Sequence, residues 1–123
     1  MRVLIVDDSS TMRSLLRMHM KRAGFEVVEA KDGVEALSML PNAGAIDLML
    51  LDWNMPNMSG LEVLTSVRAQ QQYDSMRIMM VTTEIEIGGV SAALKLGANE
   101  YLMKPFSADA VLSKLEILGL KVA

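Results

Sequence analysis

Three stretches of the chain are apolar without interruption: Val3–Val6, Leu48–Leu51 and Ile78–Val81. Four apolar residues in a row leave no side for water, so each run is expected as a central strand of a parallel sheet, covered on both faces. Two further runs, FEVVEA (25–30) and NEYLMK (99–104), mix apolar and charged residues and predict edge strands. Between the runs, apolar residues recur at helical spacing. Met12, Leu15, Leu16, His19, Met20 and Ala23 predict one face of a first helix, stopped by Gly24. Val34, Leu37 and Leu40 predict a second, closed by Pro41, and Leu61, Leu64 and Val67 a third, after Gly60. Val90, Ala93, Leu94 and Gly97 predict a fourth, opening with EIEIGGV (84–90), where Gly88 and Gly89 each weaken the helix by roughly 1 kcal/mol relative to Ala. Val111, Leu115, Leu118 and Val122 predict the last.

Strand and helix therefore alternate five times, which predicts an α/β fold with a parallel sheet and right-handed crossovers. Three buried strands and two edges fit a flavodoxin-like (βα)5 doubly wound sheet of order 2-1-3-4-5, an order carried over from known folds of this kind rather than forced by the pattern. The 123 residues suit one domain with a real core, expected to span 1–123 with no output domain.

Composition narrows the function classes. Net charge is −3 and the isoelectric point near 5.1, which argues against nucleic acid as a partner. There is no cysteine, so disulfide, thiolate and cysteine–zinc chemistry are excluded, which fits a cytoplasmic protein. No apolar run approaches the ~20 residues that span a bilayer, and the N-terminus does not read as a signal peptide. Twelve methionines are expected mainly as core filler, with a minority on a contact surface.

In an open α/β sheet, ligands bind beyond the carboxyl ends of the strands, at the switch point. The predicted strand ends there carry Asp7 and Asp8, then Asp52, then Thr82 and Thr83, then Lys104 and Pro105. Adjacent carboxylates about 4 Å apart repel by about 1 kcal/mol in water and about 4 at an effective dielectric near 20. A divalent cation would neutralise that repulsion. An oxygen-rich set of two or three carboxylates plus a carbonyl and water suits Mg²⁺, with Mn²⁺ able to substitute.

The stretches VLIVDDSSTMR (3–13), LLDWNMPNMSGLEVL (50–64), MMVTTE (79–84) and YLMKPF (101–106) resemble response-regulator receiver domains, over the whole chain, and DWNMPNMSGLE is most like the single-domain chemotaxis members. The resemblance implies that Asp52 accepts a phosphoryl group from a histidine kinase in a Mg²⁺-dependent, self-catalysed reaction. It implies that Asp7 and Asp8 hold Mg²⁺ with Asp52 and the backbone carbonyl of Asn54. It implies that Lys104 pairs with Asp52 and then with a phosphoryl oxygen, that Thr82 bonds the phosphoryl group and Tyr101 follows, and that the Lys104–Pro105 peptide is cis. Asn54 and Glu84 match the positions that tune dephosphorylation. Such a protein is a self-modifying phosphoacceptor rather than an enzyme acting on other molecules.

The expected output face is helix 4, strand 5 and helix 5, presenting Ile87, Tyr101, Lys114 and Ile117. Ile85 and Ile87 precede the fourth stripe, and Ile117 and Leu120 fall off the fifth. A flagellar motor switch protein is the expected target, a phosphatase is possible, and the protein is expected as a monomer or a weak phosphorylation-linked dimer with no membrane partner. A receiver in a multistep phosphorelay or in non-flagellar signalling is the alternative. A dehalogenase-type phosphatase lacks its second acid here, since Ser9 stands two after Asp7, and two acids would repel the phosphate of a flavodoxin cofactor. His19 lies within the apolar stripe, so it is expected to be a packing histidine and not a phosphodonor.

Overall fold

The computed structural model describes residues 1–83 and 89–120. The elements run β1 (Arg2–Val6), α1 (Ser10–Arg22), β2 (Glu26–Ala30), α2 (Gly33–Met39), β3 (Leu48–Asp52), α3 (Gly60–Arg68), β4 (Arg77–Thr83), α4 (Val90–Lys95), β5 (Glu100–Lys104) and α5 (Ala108–Ile117). All pairings are parallel, in the order β2-β1-β3-β4-β5. Every residue of β3 is buried, and β1 and β4 are buried but for their ends, whereas β2 and β5 are half-exposed edges.

Alternation along each strand sends side chains to two cores. Leu4, Val6, Met49, Leu51, Ile78 and Met80 meet Ala36, Leu40, Val63, Leu64, Val67 and Ala93 of the α2–α3–α4 side. Val3, Ile5, Leu48, Leu50, Met79 and Val81 meet Leu16, Met20, Val111 and Leu115 of α1 and α5. Five methionines are buried and Met12, Met39, Met55 and Met58 pack partly against the cores, while Met1, Met18 and Met103 are exposed, so the methionines are mainly core filler. His19 is half-buried and meets Phe106 edge-on, with ring centroids 5.7 Å apart, a packing role.

Helix starts and stops follow local chemistry. Ser9, Asp32, Ser59 and Ser107 each accept a backbone N–H from the first turn of α1, α2, α3 and α5, and Ser59 with Glu62 completes a capping box. Three helices end in the same Schellman geometry, with glycine in the left-handed region: Gly24 (φ 93°), Gly97 (φ 113°) and Gly119 (φ 75°). In each, the residue after the glycine donates back to the last turn (Phe25 to Met20, Ala98 to Ala93 and Leu120 to Leu115) and packs with it.

This last motif corrects one expectation. Leu120 is not an off-stripe contact residue: the turn at Gly119 folds it back onto the α1–α5 core. Three stripe residues also differ, and the first is Leu15 of α1, which is 38% exposed. Val34 is 52% exposed because the short α2 turns Gly33 and Ala36 inward, and Leu94 is 43% exposed while Val90 and Ala93 carry the inner face of α4. Among the described residues α4 starts at Val90, preceded by Gly89 without a side-chain cap. Glu84, Ile85, Ile87, Gly88 and Val122 lie outside the described residues.

The pole of the sheet opposite the strand carboxyl ends is tied by Arg68. Its guanidinium donates to the carbonyls of Gly97, Tyr73 and Met76 and to Asn99 Oδ1, at 2.7–3.0 Å. Asn99 Oδ1 in turn accepts the N–H of Ile78 at the start of β4. One side chain thus joins the end of α3 to the loops entering β4 and β5. Arg68→Ala is expected to lower stability by about 2–4 kcal/mol in urea unfolding, since several charge-assisted bonds go at once. It should leave the strand carboxyl ends unaltered, so ligand responses there stay as in the wild type.

Candidate functional site

The acids and the lysine foreseen at the strand ends converge. Asp7 follows β1 and is 1% exposed, Asp52 closes β3 at 7%, and Asp8 is exposed at the rim. One oxygen from each of the three carboxylates lies within 4.8 Å of the others. Lys104, closing β5, reaches across β4 to 3.2 Å from Asp52 Oδ1 and 3.5 Å from Asp7 Oδ2. Asp52 Oδ1 also accepts the N–H of Trp53 at 2.9 Å, and Asp7 Oδ1 accepts that of Ser9 at 2.9 Å. Asp7 Oδ2, though buried, accepts no hydrogen bond; its separation from Lys104 is ion-pair contact without hydrogen-bond alignment.

One ammonium does not balance three carboxylates. Burial first, then the charge of Asp7, outweigh Lys104 and push the Asp52 carboxyl up to about 6. Burial alone would pull Lys104 down, but Asp52 and then Asp7 more than offset it and hold the ammonium above the ordinary lysine value. The donor set therefore fits a hard divalent cation: clustered carboxylate oxygens, one of them buried without a hydrogen bond, and excess negative charge.

The remaining expected residues lie on β4, on β5, on α5 and in the loops that follow β3 and β5. Thr82 is fully buried on β4 and its hydroxyl donates to the Thr83 carbonyl at a long 3.3 Å. Asn54 is exposed in the β3–α3 loop, two residues beyond Asp52. The Lys104–Pro105 peptide is cis. Tyr101 is half-buried, packed toward the α2–α3–α4 core, and Lys114 Nζ lies 4.1 Å above its ring centroid. Lys114 is also paired with Glu100 at 2.9 Å, and the same Glu100 oxygen accepts the Tyr101 N–H at 3.0 Å. Burial would raise the Glu100 carboxyl, but the bonds from Lys114 and Tyr101 prevail and keep it below the ordinary range. On the expected output face Ile117 is 63% exposed, as its off-stripe position foretold, while Lys114 is engaged within the chain. Glu84 and Ile87 fall outside the described residues.

Three contributions were missed in the sequence. Gly60 opens α3 and donates to the Trp53 carbonyl at 2.9 Å; a Cβ there would stand 2.3 Å from the Asp52 carbonyl oxygen, so only glycine lets the helix approach the end of β3. Gly89 lies against the Trp53 ring, where a Cβ would come within 2.4 Å of the indole. Arg13 donates to the carbonyl of Asp7 at 2.6 Å. A glycine directly after the serine of an S-x-x-E capping box, and an arginine one turn into α1, are the signals that could have found Gly60 and Arg13.

A family profile described as "Response regulator receiver domain" matches residues 3–116. The chain is a response-regulator receiver domain. The receiver is 46% identical over 121 residues to a chemotaxis protein CheY homolog of Campylobacter jejuni, covering 97% of this chain and 93% of that protein. It is 42% identical to the chemotaxis protein CheY1 of Helicobacter pylori, covering 96% of each. Among solved structures, the chemotaxis response regulator CheY4 of Vibrio cholerae superposes with a TM-score of 0.87 at 37% identity, covering 95% of the receiver and 97% of that chain. The receiver is thus a two-component response regulator of the chemotaxis type, in a family whose members accept phosphoryl groups. No helix among its described residues is long and apolar enough to cross a membrane.

The raised Asp52 carboxyl makes metal-free stability depend on pH. Below the ordinary value of 3.8 the group is protonated folded and unfolded, with no penalty; from there to about 6 only the unfolded chain ionises, so folding loses stability as pH rises. Above that window the charged Asp52 destabilises the fold by on the order of 3 kcal/mol. Asp52→Asn is therefore expected to raise stability by about 1–3 kcal/mol at neutral pH in a chelator, a gain that disappears toward pH ~4. Urea unfolding of both proteins across this range measures it, and coincident curves at neutral pH would contradict it.

Proposed function

We propose that Asp52 is the phosphoacceptor of this receiver and that the acids around it hold Mg²⁺. The observation that carries the reading is the position of Asp52: a buried carboxylate at a strand end, held through Oδ1 by Trp53 and Lys104, and next to Asp7 and Asp8. Asp7, Asp8, Asp52 and the carbonyl of Asn54 would hold the cation, with Mn²⁺ able to substitute. When bound, it offsets the carboxylate repulsion and the charge of the phosphoryl oxygens.

The chain's own groups divide the rest. With Oδ1 occupied, the second Asp52 oxygen attacks phosphorus; an O–P bond forms, the P–N bond to a kinase phosphohistidine protonated on its other ring nitrogen breaks, and the donor takes the bonding pair and leaves as neutral imidazole. Lys104 keeps its contact with Asp7 and transfers its other contact from Asp52 to a phosphoryl oxygen, so no charge needs to be brought in from solvent. The Thr82 hydroxyl, weakly engaged with Thr83, turns toward the phosphoryl group. Tyr101 then moves inward and alters the α4–β5–α5 face, with Lys114 and Ile117 in reach of a protein target. A histidine kinase upstream and a flagellar motor switch protein downstream complete the reading, in the cytoplasm.

Two experiments test it. Wild-type protein incubated with phosphoramidate and Mg²⁺ should form a base-labile acyl phosphate, and Asp52→Asn should form none; label retained in that variant would place the acceptor elsewhere. Thr82→Ala should still be labelled but lose most of the target binding that beryllofluoride induces. Equal activation in wild type and variant would remove Thr82 from the switch.

A further inference from the structure

The peptide joining Asp7 to Asp8 is held from outside the site. Its carbonyl oxygen accepts a bond from Arg13 Nη1 at 2.6 Å. Arg13 Nε lies 3.4 Å from Glu29 Oε1 on β2, and the other Glu29 oxygen is paired with Arg17 Nη1 at 2.7 Å. The Asp7 N–H donates to the Ala30 carbonyl, so β2 grips Asp7 directly on one side and through Glu29 and Arg13 on the other. Arg13 is mostly buried and belongs to the second turn of α1, where its own N–H bonds the carbonyl of the cap Ser9.

We propose that Arg13 is a positioning residue for the cation-binding acids, setting the angle between the Asp7 and Asp8 carboxylates, and that Glu29 holds Arg13 for that task. The rotation of this one peptide fixes ψ of Asp7 and φ of Asp8 together, so a small turn of it swings the two side chains in concert. The guanidinium suits the role because it has two edges at fixed angles, one for the carbonyl and one for Glu29; an ammonium is a point charge that can serve either but does not hold their relative geometry. Partners that orient metal ligands typically contribute about 10–100-fold in metal affinity.

Charge alone makes the opposite prediction. A cation close to three acids repels Mg²⁺, so if Arg13 acted only through its charge, removing it would tighten binding and replacing it by lysine would change nothing. The inference rests on Asp7 and Asp8 being metal ligands. A wild type that shows no Mg²⁺ response removes that reading first, whereas a wild-type response left unchanged by the Arg13 variants removes the role of Arg13 alone.

The test is Mg²⁺ titration followed by the emission of Trp53, the chain's one tryptophan, which directly follows Asp52. Wild type, Arg13→Lys, Arg13→Met and Glu29→Gln are compared, with melting in a chelator to show that each is folded at the assay temperature. The expected result is Mg²⁺ affinity about 10-fold weaker in both Arg13 variants and about 3-fold weaker in Glu29→Gln. Phosphorylation by phosphoramidate should return close to the wild-type rate once Mg²⁺ is raised to saturation, a rescue that general loosening of the fold would not allow. Arg13→Lys binding Mg²⁺ as tightly as wild type, or Arg13→Met binding it more tightly, overturns the proposal. Should an Arg13 variant not fold, Glu29→Gln decides: unchanged affinity there overturns it too.

Discussion

The receiver is organised around a charge imbalance that its own side chains leave uncorrected. Three carboxylates meet at the carboxyl ends of β1 and β3, and Lys104 supplies the one ammonium paired with them among the described residues. A buried ion pair is weak support for a fold, because desolvation offsets much of the attraction. Here burial first, and then the charge of Asp7, outweigh Lys104 and drive Asp52 up to about 6. The fold tolerates this because the two apolar cores lie beneath the site: nearly every residue of β1, β3 and β4 is buried, and the instability is confined to one rim.

That confinement explains how the surrounding parts are built. Each acid is held through its backbone neighbours as much as through its side chain. Asp52 is gripped by the Trp53 N–H and overlain by Gly60, with no room for a Cβ between helix and strand end. Asp7 is gripped by Ser9, Ala30 and Arg13. Fixing the backbone leaves the carboxylates no cheap way to splay apart, so the repulsion persists until something positive arrives. Preorganisation of this sort favours a ligand by having met its ordering cost during folding. Arg68 does comparable work at the other pole, where each of its three guanidinium nitrogens meets an acceptor.

Most of this was legible in the sequence, and the exceptions share a cause. Central strands announce themselves because burial on both faces permits nothing but apolar residues, whereas the sheet order was carried over from known folds of this kind. The acids and Lys104 were legible because charges at the ends of such runs have few other reasons to be there. Stripe membership was less secure: Val34 and Leu94 fit a helical spacing, yet α2 and α4 have seven and six residues, too short to fix a face by periodicity. Leu120 was misread because its position is set by the left-handed turn at Gly119 and not by helical phase. Gly60, Arg13 and Arg68 escaped because their roles depend on backbone atoms of other segments. A carbonyl has no letter in the sequence, so a side chain that serves one looks like any other loop glycine or helix arginine.

The residues around Thr82 and Tyr101 are held more softly. Thr82 is fully buried, yet among the described residues its hydroxyl makes a long bond to the next carbonyl, so little would be lost if it turned to a better acceptor. Tyr101 is half-buried, with Lys114 above its ring and Glu100 tying both the lysine and the Tyr101 N–H. A cation over an aromatic face contributes about 0.5–1 kcal/mol at a partly exposed site, and an ion pair of this exposure a similar amount. Those energies are small beside the core but comparable to the few kcal/mol that separate two states of a signalling protein. A ring held this lightly can change position when the site beyond Thr82 changes charge. On the proposed reading the rigid acids and the lightly held Tyr101 are complementary: the first would give the chemical event a fixed place, and the second would let a modest free-energy change there reach the surface.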